Sequence, residues 1–127
     1  EAKDLFKENY KNEKIMHIVI SKFRVDNQNY SSFEENIIGE NFYLELQFRS
    51  ISNSFTSEIN KSLEKYNIKI INYIDANYLK NLFNRENMEI TEMAYKAKVG
   101  FNSNEVKLVP KNIKKTGFFE RFFQLFG

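Results

Sequence analysis

His17 is the only histidine in the sequence, and a lone imidazole cannot supply the paired nitrogens of a histidine-based zinc site. It sits between Met16 and Ile18 in an apolar run, which reads as a structural position. Glu34 and Glu35 are adjacent carboxylates, the residue type that runs acid–base chemistry. No second polar constellation accompanies them, and a solvated loop is the simpler reading. With no cysteine in the chain, thiolate metal sites, disulfide frameworks and cysteine nucleophiles are excluded. The four glycines, Gly39, Gly100, Gly117 and Gly127, lie too far apart for a GxGxxG or phosphate-cradling loop, and there is no GxSxG elbow. The expectation is a non-enzymatic protein with no metal and no cofactor.

Lys107, Lys111, Lys114 and Lys115 precede Phe118 and Phe119, a juxtaposition that could bind nucleic acid by charge and stacking. The net charge of only +2, from 19 basic and 17 acidic residues, gives that reading no help. The segment GFFERFFQLFG, residues 117–127, supports a different one. Wound as a helix at 100° per residue, Phe118, Phe119, Phe122, Phe123, Leu125 and Phe126 fall within an arc of about 160°. Glu120, Arg121 and Gln124 occupy the remainder. An aromatic helix face approached by basic residues suits a membrane interface, with the six apolar residues inserting and Lys111, Lys114, Lys115 and Arg121 meeting anionic head groups. The same spacing also suits packing on the chain's own domain or docking into a partner protein's groove. The second of these would make the chain a soluble adaptor.

The elements that would carry this tail read as a small α+β domain. Ala2, Leu5, Phe6 and Tyr10 share one side of a helix. Ile15 to Val25 is rich in β-branched residues and reads as a strand, followed by a turn or loop at Asp26-Asn27-Gln28-Asn29. Phe42 to Phe48 alternates cleanly, with Phe42, Leu44, Leu46 and Phe48 on one face. Ser52 or Ser54 caps a helix running to about Tyr66, and Asn67 ends it. Ile68 to Ile74 is apolar on both faces and is expected to be a central strand. Asp75 caps a short helix carrying Tyr78, Leu79, Leu82 and Phe83, and Asn84 to Asn87 is a polar break. Met93, Tyr95, Ala97, Val99 and Phe101 alternate with polar residues and suggest a further strand, paired with Val106 to Val109 across a turn at Gly100 to Asn104. The expected architecture is a small, mainly antiparallel sheet with helices on one face. The expected division is an α+β interaction domain over 1–109, a basic linker over 110–117 and an amphipathic helix over 118–127. The start of the sequence, EAKDLFKENYKNEK, has no apolar run of a secretory signal, and no stretch approaches the ~20 apolar residues that span a bilayer.

Residues 14 to 83 resemble the extra (SHS2-like) subdomain of the bacterial cell-division protein FtsA, a member of the actin-like superfamily. In that family a strand with a histidine leads into a y-x-V-D-x-Q turn. Here His17-Ile18-Val19-Ile20 is followed by Phe23-Arg24-Val25-Asp26-Asn27-Gln28. A glycine-containing loop then leads to a strand with Leu-Glu, as Gly39 precedes Leu44-Glu45-Leu46, and a helix and an isoleucine-rich strand follow. FtsA also ends in a basic linker and an amphipathic membrane-targeting helix, similar in place and character to residues 117–127. Two features depart from the family. The proline and second glycine usual before Leu44 are absent, and residues 84 to 116 hold no glycine-rich phosphate loop of the second actin-like half, so ATP binding is not carried over. The resemblance implies an interaction domain at the cytoplasmic face of the cell membrane. Its implied partners are anionic lipid and proteins of the division machinery, including further copies of itself.

Overall fold

The structure is a computed structural model in which residues 1–32 and 36–107 are described. Among these described residues it is α+β, with a three-stranded antiparallel sheet in the order β2-β1-β3 and four helices. The elements in chain order are α1 (Ala2–Asn9), β1 (Glu13–Val25), β2 (Gln28–Tyr30), β3 (Phe42–Ser52), α2 (Asn53–Glu64), α3 (Ala76–Leu82) and α4 (Ile90–Lys98).

The long strand β1 organises everything else. It pairs with β3 from Glu13↔Ser52 to Val25↔Phe42, and the register shifts between Ile15 and His17 and again between Ile20 and Lys22. Each shift flips the side-chain parity of β1. Ile18, Ile20, Phe23 and Val25 therefore share one face although their numbers switch from even to odd, and all four are buried. Phe48, Leu46, Leu44 and Phe42 stand directly opposite them on β3. The second face carries His17 and Val19, opposite Arg49 and Gln47.

β1 turns into β2 through Asp26 and Asn27, at φ 45° and 73°. A two-residue hairpin loop with both central residues left-handed matches the twist of its strands, and Asp and Asn tolerate that region best after glycine. The turn is thus tighter than the expected loop over Asp26 to Asn29, since Gln28 already pairs with Val25. The Asp26 carboxylate then accepts from the backbone N–H groups of Glu40 and Asn41, both at 2.9 Å. Those two bonds hold its carboxyl below the usual carboxylate range. This fastening needs Gly39, because a Cβ there would run into the Val25 side chain and stand 2.7 Å from the Asp26 carboxylate.

The Ser52 hydroxyl caps α2, accepting from the Phe55 N–H at 3.1 Å, as expected. The helix ends at Glu64, and Asn67, at φ 57°, redirects the chain. Ile68 to Ile74 is not the expected central strand, for it joins no ladder. Both edges of β1 are taken along this stretch: β3 holds one, and the other receives a bridge from Glu105 to Val19. The segment instead crosses the face carrying His17. Ile74 packs into the helical core, the Tyr73 hydroxyl donates to Asn60 of α2, and Ile71 stays 81% exposed.

Met93 to Phe101 forms most of α4 and a turn rather than the expected strand. Its alternation is misleading, since Tyr95 and Val99 are exposed at 67% and 63%. Met93, Ala94 and Ala97 are the inward residues, at helical spacing, and they pack with Tyr78, Leu79 and Phe83. Glu92 in the first turn and Lys96 and Lys98 in the last oppose the helix dipole favourably, and Glu92 pairs with Lys96 at 3.6 Å. Val106 does not pair with this segment. Its N–H donates to the Ile18 carbonyl at 2.8 Å.

Two apolar clusters result. α3 and α4 bury Tyr78, Leu79, Phe83 and Ala97 over Val19 on one face. On the other, Ile20, Phe23 and Val25 are covered by Tyr30, Ile37, Leu46 and Val106, and Phe6 of α1 stacks on Phe48 at 4.8 Å.

Candidate functional site

All of the residues expected to meet a membrane, Lys111, Lys114, Lys115, Phe118, Phe119, Arg121, Phe122, Phe123, Leu125 and Phe126, lie outside the described residues, as do Glu34 and Glu35. What the structure does place is the root of the tail, and it is held firmly. The Asn104 carbonyl accepts from the Ile20 N–H at 2.8 Å, the Val106 N–H donates to Ile18 at 2.8 Å, and Glu105 bridges Val19. Residues 104–106 therefore run along the free edge of β1 where β2 stops.

Glu105 anchors this stretch from below. Its side chain is 7% exposed and sits in a largely buried polar network assembled from four parts of the chain. One carboxylate oxygen accepts from His17 Nδ1 at 2.8 Å. The other accepts from the Tyr78 hydroxyl at 2.8 Å, and the Lys107 ammonium stands 3.5 Å from it. His17 Nε2 in turn accepts from the Asp75 backbone N–H at 3.0 Å. Because one ring nitrogen donates and the other accepts, the imidazole is neutral with its proton on Nδ1. The Asp75 carboxylate caps α3 through the Asn77 N–H at 2.9 Å and takes Arg49 Nη1 at 3.1 Å. The Tyr78 hydroxyl also accepts from Asn102 Nδ2 at 3.0 Å. The network thus ties β1, β3, the start of α3 and the tail root to one another.

The electrostatics follow from burial and bonding. Burial alone would raise the Glu105 carboxyl, but the bonds from His17 and Tyr78 and the nearby Lys107 charge outweigh it and hold it below its ordinary value. Burial pushes the Tyr78 hydroxyl up to about 12; the bond from Asn102 opposes this and donation to Glu105 reinforces it.

This arrangement is a brace. A catalytic histidine needs one ring nitrogen open to substrate, whereas both nitrogens of His17 are engaged and the residue is 5% exposed. The structural reading of His17 from sequence agrees with this geometry. From sequence Asp75 is legible as the cap of α3 and Tyr78 as a residue of that helix, but neither as part of this network, and Glu105 and Asn102 carry no signal. The network's partners are 24, 27, 58 and 88 residues apart, so no local spacing reveals them. Among the described residues no cluster of His, Asp or Glu could hold a metal ion, and no helix is long and apolar enough to cross a membrane.

Compared with known proteins, the chain matches no family model, no curated protein and no solved structure.

Proposed function

We propose that the chain is a non-enzymatic interaction domain held at the inner face of the cell membrane by an amphipathic helix at residues 118–127, in the setting of bacterial cell division. The observation that carries the membrane part is the complete segregation of the tail: five phenylalanines and a leucine on one side, Glu120, Arg121 and Gln124 on the other. Lys111, Lys114 and Lys115 add attraction to anionic lipid of about 1 kcal/mol each near the surface. The braced root supports the reading mechanically. A tether transmits position only if its attachment does not fray, and residues 104–107 are bonded to β1, His17, Tyr78 and Ala97. The cell-division setting rests on the resemblance of residues 14 to 83 to the FtsA subdomain.

The test is co-sedimentation with vesicles of phosphatidylcholine and phosphatidylglycerol. The chain should pellet with them at low salt and release as salt rises. Phe119→Asp with Phe123→Asp should leave it in the supernatant with an unchanged circular-dichroism spectrum. Wild type that stays in the supernatant at low salt defeats the reading. Loss of the folded spectrum in the double variant would place the Phe face in the domain's own core.

A further inference from the structure

β3 is an edge strand that lacks the usual protection. Among the described residues it is outermost on its side of the sheet, and no backbone bond joins its outer edge to another segment. Natural edges are blunted by charged side chains, above all lysine, by proline, by bulges, by short length or by a covering element. β3 has the two charges Glu45 and Arg49, and the register shifts of its pairing with β1 insert their extra residues on the β1 side. β3 runs for 11 residues, FYLELQFRSIS, with neither lysine nor proline. It also leaves large apolar side chains uncovered, with Phe42 56% and Leu44 42% exposed. We infer that this edge is an interface for a second copy of the same chain, which adds its own β3 antiparallel across a two-fold axis at Gln47.

The register follows from three constraints. A shift by one residue would set the charged face of one copy against the apolar face of the other, so only registers that pair like faces survive. Centred on Gln47, all 11 residues of Phe42–Ser52 find partners. Centred there, Glu45, which holds Lys22 at 2.8 Å in its own chain, lies opposite the second copy's Arg49, whose Nη1 is on Asp75 at 3.1 Å. The two cross-strand pairs would thus join existing bridges into one alternating network at direct cross-strand distance. Centring on Leu46 or Phe48 instead places Glu45 opposite Gln47 or Ile51 and loses both charge pairs. On the apolar face the Gln47 register pairs Leu46 with Phe48 twice. It also brings the second copy's α1, which rides on Phe48 through Phe6, toward exposed Leu44 and Phe42. α1 has exposed apolar residues of its own to meet them, Leu5 and Tyr10.

The absence of cysteine from the chain makes the register directly testable. At the two-fold axis a residue faces its own copy at a Cα separation of about 4.5–5.5 Å, inside the window of about 4.4–6.8 Å that a disulfide requires. Gln47→Cys should therefore oxidise to a covalent dimer. Tyr43→Cys should not, because its copy would lie about 26 Å away along the strand. Both are run in the full chain carrying Phe119→Asp and Phe123→Asp, so that tail–tail association contributes nothing and the outcome is independent of membrane binding. By sedimentation equilibrium that chain should move from 15.2 kDa toward twice that mass with concentration, and Glu45→Lys should weaken the association at least tenfold. A single 15.2 kDa species at every concentration, Tyr43→Cys cross-linking as readily as Gln47→Cys, or an unchanged association constant in Glu45→Lys would each overturn the inference.

Discussion

Glu105 shows how one side chain can fasten residues 104–107 to the sheet. It accepts two bonds of 2.8 Å, from His17 Nδ1 and from the Tyr78 hydroxyl. Glu105→Ala would leave both buried donors unsatisfied. We expect a loss of about 2–4 kcal/mol in urea unfolding at neutral pH. Glu105→Gln, which keeps one carbonyl acceptor, should cost less. The pH dependence has a definite sign. A carboxyl lowered in the folded state contributes stability that is fully present above its unfolded value of 4.5 and lost as pH falls through the lower folded value. The gap between wild type and the Glu105 variants should therefore narrow in acid. Tyr78 works at the other end. Raised from 10.0 to about 12, its contribution is fully present below pH 10 and disappears as pH climbs toward 12. A near-ultraviolet absorbance titration should show a high-pH phenolic step that Tyr78→Phe removes.

At the scale of elements, sequence and structure agree wherever a pattern is local and unambiguous. The β-branched run of β1, the alternation of β3, the Ser52 cap and the Asp75 cap all follow from side chains acting on their own backbone. The two misread segments fail for a shared reason. Ile68 to Ile74 and Met93 to Phe101 both show apolar residues that suit a strand, yet the edges of the central strand β1 are taken by β3, β2 and the Glu105 bridge, an arrangement that only the assembled sheet determines. For α4 the charge order, Glu92 early and Lys96 and Lys98 late, was the legible signal that outweighs the alternation. The candidate tail lies outside the described residues, and of the brace only the burial of His17 and the Asp75 cap are legible locally, since the other bonds join remote positions. The hairpin motif Val25-Asp26-Asn27-Gln28 together with Gly39 now has a physical reason: the turn points a carboxylate at a loop that must approach closely. Gly39→Ala should drive a methyl group into Val25 and Asp26. It is expected to destabilise by about 1–3 kcal/mol, read as a lower denaturant midpoint with an unchanged slope.

For the whole molecule, the proposed edge pairing and the proposed membrane tether impose conditions on each other. Two antiparallel edge strands joined in one continuous sheet are related by a two-fold axis normal to that sheet, so each face of one copy continues into the same face of the other. Val106 lies against Ile20, Phe23 and Val25, and its counterpart in a second copy would lie on the same side. Both tails would then leave toward one surface, and the eight linker residues 110–117, at about 3.3 Å each, give either tail a reach of about 26 Å. A dimer built this way can engage a single bilayer with both anchors, the second binding at an effective concentration set by the linker. One anchor of ten residues is a weak, reversible attachment, and pairing it is a general route to stable residence. The prediction is quantitative. With the wild-type tail, the Gln47→Cys covalent dimer should bind anionic vesicles at least tenfold more tightly per chain than the same protein after reduction and dilution to monomer. The gain should vanish when Phe119→Asp and Phe123→Asp are present in one of the two chains. Equal affinity of dimer and monomer would mean that the two tails cannot face one membrane, and the edge register or the membrane anchor would have to be abandoned; the cross-linking and vesicle experiments, each run alone, identify which.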